Sequence, residues 1–216
     1  MASQLFLFGL LALSSFTACL AVDNNNLLDF CVADPKSQVF VNGVACKDPK
    51  QVQAEDFYFS GLHLVGNTSN PAGSKATLVN VAQIPGLNTL GISLARIDFA
   101  PTGVNPPHSH PRASEIIVVL EGTLEVGFIS SGFDLRHISK VLQPGDVFVF
   151  PAGLIHYQRN VGSGNAAVIA ALNSQSPGTI SLASAIFGAE PPIKDELLSK
   201  AFQIDKKAIS YLRSKF

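Results

Sequence analysis

The chain has 216 residues, enough for one domain with accessory segments that buries its own core. With 15 Lys and Arg against 16 Asp and Glu, a formal charge of −1 excludes a general electrostatic pull toward nucleic acid or anionic membrane. Charged residues are only 14% of the chain and mean hydropathy is +0.29, which points to extensive burial, subunit interfaces included.

The first element, 5-LFLFGLLALSSF-16, is an uncharged apolar run followed by the small residues of 17-TACLAV-22. It is too short to span a bilayer and reads as the apolar region of a secretory signal peptide, residues 1–21, with cleavage expected after Ala21. A membrane anchor is the alternative, but no polybasic flank accompanies the run. Removal of the peptide takes Cys19 with it and leaves Cys31 and Cys46, an even pair in an oxidising compartment. A disulfide between them is expected, closing an N-terminal segment over residues 22–56. The sequon Asn67-Thr68-Ser69 lies in a Gly/Asn/Ser/Pro-rich loop, so Asn67 is a candidate glycosylation site. The string 194-KDEL-197 is internal and carries no retention signal.

Residues 57–190 form the main domain. Short runs rich in β-branched residues recur there: 76-ATLVNVAQ-83, 90-LGISLARIDF-99, 115-EIIVVLEG-122, 123-TLEVGFIS-130, 136-RHISKVL-142, 147-VFVF-150 and 166-AAVIAALN-173. Gly- and Pro-containing turns separate them, among them a loop expected over Pro101 to Pro107. Short strands at this spacing without intervening helices predict an all-β sandwich or barrel. In residues 191–216 the period changes to helical, with Ile204, Ala208 and Leu212 on one expected face, so one or two α-helices follow the barrel.

The chemistry-bearing stretch is 107-PHSHPRASE-115. Residues two apart in a strand share a face, so His108 and His110 project together. Glu115 follows His110 by five residues, and in one straight strand an odd spacing aims it the other way. Pro111 breaks such a strand and allows Glu115 to rejoin the histidines. His156, after the bend at Pro151-Gly153, is placed to line a barrel mouth and supply a fourth ligand. His63 and His137 lack partners at ligand spacing and read as surface or structural. Three imidazoles and a carboxylate suit Mn, Fe, Zn, Cu or Ni, and disfavour Ca, Mg and Cu(I). Four protein donors on a six-coordinate ion would leave two positions for small molecules.

These residues resemble the two motifs of the cupin superfamily. The segment 103-GVNPPHSHPRASEIIVVLEG-122 matches the first motif, except that its opening glycine falls at Thr102, a turn position. The segment 145-GDVFVFPAGLIHYQRN-160 matches the second throughout. Further segments, 30-FCVAD-34, 66-GNTSNP-71, 88-NTLGIS-93, 171-ALNSQSPG-178 and 188-GAEPPI-193, are similar to plant germins and germin-like proteins over nearly the whole mature chain. The resemblance implies a jelly-roll β-barrel with C-terminal α-helices and Mn(2+) on His108, His110, Glu115 and His156. It also implies a homohexamer built as a trimer of dimers, in the extracellular space, apoplast or cell wall. Two activities come with the family, superoxide dismutation and oxalate oxidation. In the oxalate-oxidising members two asparagines supply hydrogen bonds to the dianion; one matches Asn105, and the other falls at Ala95. Dismutation is therefore the expected activity. A non-catalytic binder of small carboxylates, auxin-like acids among them, and a structural wall protein are the alternatives.

Overall fold

Alternating apolar residues and Gly-rich turns leave this chain one way to cover its strands, which is to fold them face to face. The computed structural model describes residues 29–41 and 43–216, so the expected signal segment lies outside the described residues. The order begins with a small hairpin, β1 (Phe40–Val41) and β2 (Gly43–Val44). Ten further strands follow: β3 (Ser74–Val79), β4 (Ser93–Phe99), β5 (Val104–Ser109), β6 (Glu115–Glu121), β7 (Leu124–Ile129), β8 (His137–Leu142), β9 (Val147–Phe150), β10 (His156–Asn160), β11 (Ala166–Leu172) and β12 (Ile180–Ser181). They form two five-stranded antiparallel sheets, in the orders β12-β5-β10-β7-β8 and β3-β4-β11-β6-β9. All seven expected apolar runs are strands.

The core lies between the two inner faces. On β4, Ala95, Ile97 and Phe99 are buried; on β6, Ile117 and Val119; on β7, Leu124 and Val126; on β11, Val168, Ala170 and Leu172. Spacing two along each strand is the period that puts these side chains on one face. One lateral row across the second sheet runs Ser93, Leu172, Glu115, Phe150. The row that should continue the apolar core thus carries a carboxylate, and it marks the polar end of the barrel.

Three local features differ from the sequence reading. Pro106 and Pro107, expected in a loop, lie inside β5. Proline lacks a donor, and a strand tolerates it at a bulge or an edge. Both conditions hold here: β5 shifts register against β10 between His156 and Gln158, and β12 pairs only with His108 and Ser109. Residues 182-LASAIF-187, read as part of the all-strand region, form helix α1 (Leu182–Phe187), ended by Gly188. The C-terminal segment forms two helices, α2 (Asp195–Phe202) and α3 (Lys206–Arg213). Gln203 takes a left-handed φ of 56°, and Asp205 caps α3 through the Ala208 N–H at 2.7 Å. Ile204 therefore falls between the helices rather than on a shared face with Ala208 and Leu212, and the fully buried residue of α3 is Ile209.

Thr102, at the motif position usually held by glycine, takes a φ of 66°. That left-handed conformation crowds a β-branched side chain. Gly103 is required for a different reason: a Cβ there would lie 2.1 Å from the Gly73 carbonyl oxygen. The Cys31–Cys46 disulfide is formed. Buried Asn88 holds the segment it closes, donating to the Val44 carbonyl at 2.7 Å.

Candidate metal centre

Three strands and the loop that leaves β5 deliver the site. His108 is near the end of β5, His110 lies just beyond it, and His156 opens β10 of the same sheet. Glu115 opens β6 in the opposite sheet. The parity of a straight strand therefore does not apply, because the chain changes sheets at Pro111. The crossing is held by backbone and side-chain bonds. The His110 carbonyl accepts from Gly153 N–H at 3.0 Å, Ser114 N–H donates to Asn173 Oδ1 at 2.7 Å, and Ala152 N–H donates to Ser114 Oγ at 3.1 Å.

One nitrogen from each of the three imidazoles and a Glu115 oxygen lie within 4.8 Å of one another. Glu115 Oε2 sits 3.0 Å from His110 Nε2 and 3.2 Å from His156 Nε2. Each ring is fixed by its other nitrogen. His108 Nδ1 is 2.8 Å from the Pro106 carbonyl, His110 Nδ1 2.6 Å from that of Gly178, and His156 Nδ1 2.9 Å from that of Leu154. A carbonyl only accepts, so each Nδ1 carries a proton and each Nε2 is turned to the centre, where once deprotonated it offers a lone pair to an ion. That is the orientation imidazole ligands of a metal adopt. Phe150 stacks on His156 with centroids 4.5 Å apart and limits its rotation.

The electrostatics match an assembled anionic clasp. Burial pushes the Glu115 carboxyl up, but hydrogen bonds from His110 and His156 outweigh it and hold the group at about 2. His108 is lowered to about 4, first by burial and then by the neighbouring His156. At His110 burial acts downward, yet the Glu115 carboxylate and the Gly178 carbonyl raise it overall. At neutral pH Glu115 is charged and His108 is neutral, the states that bind a cation. Three imidazoles, one carboxylate and no thiol fit a borderline divalent ion.

The centre opens into a cavity of about 370 Å³ whose walls include Ala95, Asn105, His108, His110 and Glu115. Asn105 reaches the site through a residue that the motif reading passed over. Its Nδ2 donates to Gln158 Oε1 at 2.7 Å, and Gln158 Nε2 lies 3.5 Å from Glu115 Oε1. Gln158 is fully buried. The signal for it was present, since Gln158 stands two residues after His156 and shares its face. Ala95 is buried on β4 and brings no polar group. Of the remaining candidates, Asn67 is exposed in a loop, its Oδ1 accepting from Ser69 N–H at 2.9 Å. His63 is exposed, and His137 lies on the outer face, 3.1 Å from the Tyr157 hydroxyl. Neither joins the cluster.

Two facing antiparallel sheets with a His/His/Glu/His cluster at one end define the cupin class, and the Cupin family profile matches residues 60–210. Germin-like protein subfamily 1 member 7 of Arabidopsis thaliana is 61% identical, covering 96% of this chain and 91% of that protein. Germin-like protein 8-2 of Oryza sativa subsp. japonica is 57% identical over the full length of both chains. The chain belongs to the germin-like proteins of the cupin family. Among solved structures, an oxalate oxidase in complex with the substrate analogue glycolate superposes with a TM-score of 0.85 at 44% identity, covering 89% of this chain and 96% of that one. Among the described residues, no helix is long and apolar enough to cross a membrane.

Proposed function

We propose that this is a secreted manganese protein of the plant apoplast that dismutates superoxide, two superoxide ions and two protons giving dioxygen and hydrogen peroxide. His108, His110, Glu115 and His156 are the ligands. Manganese in that position supplies one-electron exchange between its II and III states. The observation that carries the choice of substrate is Ala95, buried in the cavity wall where a second amide would have to stand. Oxalate is a dianion and needs several hydrogen-bond donors beside the metal. Here Asn105 is present, and its amide is engaged with Gln158. Superoxide is small and singly charged, and Asn105 with Gln158 suffices to orient it and to steady the Glu115 carboxylate.

Oxalate oxidation is the second reading, favoured by the likeness to an oxalate oxidase. A non-catalytic carboxylate-binding or structural wall protein is the third. Residues 1–21 serve as the signal peptide, Asn67 carries a glycan, and the chain assembles as a hexamer. Exposed Leu94, Ile116 and Val149 on the outer face of the β3-β4-β11-β6-β9 sheet support assembly, because an apolar patch of this kind seeks a partner.

Elemental analysis of the purified protein, combined with inhibition of tetrazolium reduction by superoxide, tests the proposal. Manganese near one ion per chain and activity well above that of free Mn(II) are expected. Activity no greater than the free ion would sink dismutation. His108→Ala or His156→Ala should abolish bound metal, and unchanged occupancy removes the ligand assignment.

A further inference from the structure

The segment from Ser176 to Thr179 forms one wall of the metal cavity. Its Gly178 carbonyl accepts the Nδ1 proton of His110 at 2.6 Å, the bond that decides which ring nitrogen faces the cluster. Just beyond it, β12 pairs with β5 at Ser109 and His108. A displacement of this segment would therefore reach both histidines of the HxH motif.

Arg112 fastens that segment. Its backbone N–H donates to the Pro177 carbonyl at 3.3 Å, and its Nε donates to the Ser176 carbonyl at 2.8 Å. The guanidinium also lies against Gly178, where a Cβ would stand only 2.8 Å from Nη2. The φ of +68° at Gly178 is a second reason for glycine there. One arginine thus meets three successive residues, Ser176 through its guanidinium, Pro177 through its backbone N–H and Gly178 by close packing. Arg112 stands between His110 and Glu115 in sequence, so the residue that fastens the far segment is built into the ligand loop itself.

We infer that Arg112 is a positioning residue of the metal centre: it holds the Ser176–Gly178 segment so that the Gly178 carbonyl keeps His110 Nε2 aimed at the other ligands. The inference rests on the metal-centre reading above. Partners that orient a ligating imidazole are each worth about 10–100-fold in metal affinity. Arg96 offers the comparison. It also fastens a distant loop, pairing with Asp98 at 2.7 Å and donating to the Leu62 carbonyl at 3.2 Å, but on the outer face of β4.

The test is titration of metal-free protein with Mn(II), the free ion being read from its electron paramagnetic resonance signal, with unfolding temperatures measured in parallel. Arg112→Ala is expected to bind at least tenfold more weakly, and Arg112→Lys, which keeps the charge and one donor, to recover part of that loss. Arg96→Ala is expected to lower the unfolding temperature while leaving Mn(II) affinity within twofold. An Arg112→Ala affinity within twofold of wild type overturns the inference, as does an equal loss of affinity in Arg96→Ala. A wild-type protein that takes up no divalent ion overturns the metal-centre reading itself, and this inference with it.

Discussion

Asn105 does not approach the Glu115 carboxylate alone; its Nδ2 donates to Gln158 Oε1 at 2.7 Å, and Gln158 stands 3.5 Å from Glu115. A glutamine with no exposed surface thus bridges a cavity residue and the carboxylate of the cluster. Gln158→Leu keeps the volume but leaves Asn105 without its acceptor. Asn105 is half-buried, so leaving its amide without a partner costs about 1 kcal/mol, the low end for such a loss. Urea unfolding of the metal-free variant should show a loss of that size, and metal titration should show weaker binding. An unchanged urea midpoint would contradict the bridging role.

Acid should destabilise the metal-free protein in two steps. His108 falls from an ordinary 6.5 to about 4 on folding, so the unfolded chain takes its proton first as pH drops through that window. Stability is then lost, by about 3 kcal/mol from this group. Glu115, held at about 2 against an ordinary 4.5, adds a further loss as pH falls below 4.5. His110 is raised and acts oppositely: its contribution is complete below 6.5 and disappears as pH rises through its folded value. Urea midpoints measured from pH 8 to pH 3 should peak near 6.5 and decline on the acid side. A flat profile between 6.5 and 4 would remove the His108 assignment.

Ala95→Asn places an amide on the buried face of β4 that lines the cavity of about 370 Å³. If the missing donor is what excludes oxalate, peroxide production from oxalate should rise at least tenfold while metal content stays constant. No gain, with metal retained, would locate the discrimination elsewhere in the wall.

Thr102 holds a φ of 66° at a turn where glycine carries no steric penalty. The left-handed conformation costs an L-residue about 1–2 kcal/mol, and the greater chain entropy of glycine when unfolded returns roughly half of that. Thr102→Gly should therefore stabilise by about 0.5–1 kcal/mol in calorimetry without altering metal content. A destabilised variant would show that the Thr102 side chain makes a compensating contact.

From the sequence alone, period-two apolar runs determined seven strands and hence an all-β fold, because alternation is a local property of the backbone pleat. Motif spacing likewise picked out His108, His110, Glu115 and His156, since ligand type and turn chemistry are written in residue identity. Tertiary structure decided what depends on neighbours distant in the chain. Pro106 and Pro107 became strand because β12 leaves their edge of β5 uncovered and the pairing with β10 shifts register beside them. Glu115 met the histidines because the chain crosses between sheets, which no strand parity contains. Gln158 acquired its role only when burial set it between Asn105 and Glu115. The proton of His110 was placed by a carbonyl 68 residues away. Hydrogen-bond geometry across such separations exists only after the sheets have closed, and for that reason the four clustered residues were legible in advance while the groups that orient them were not.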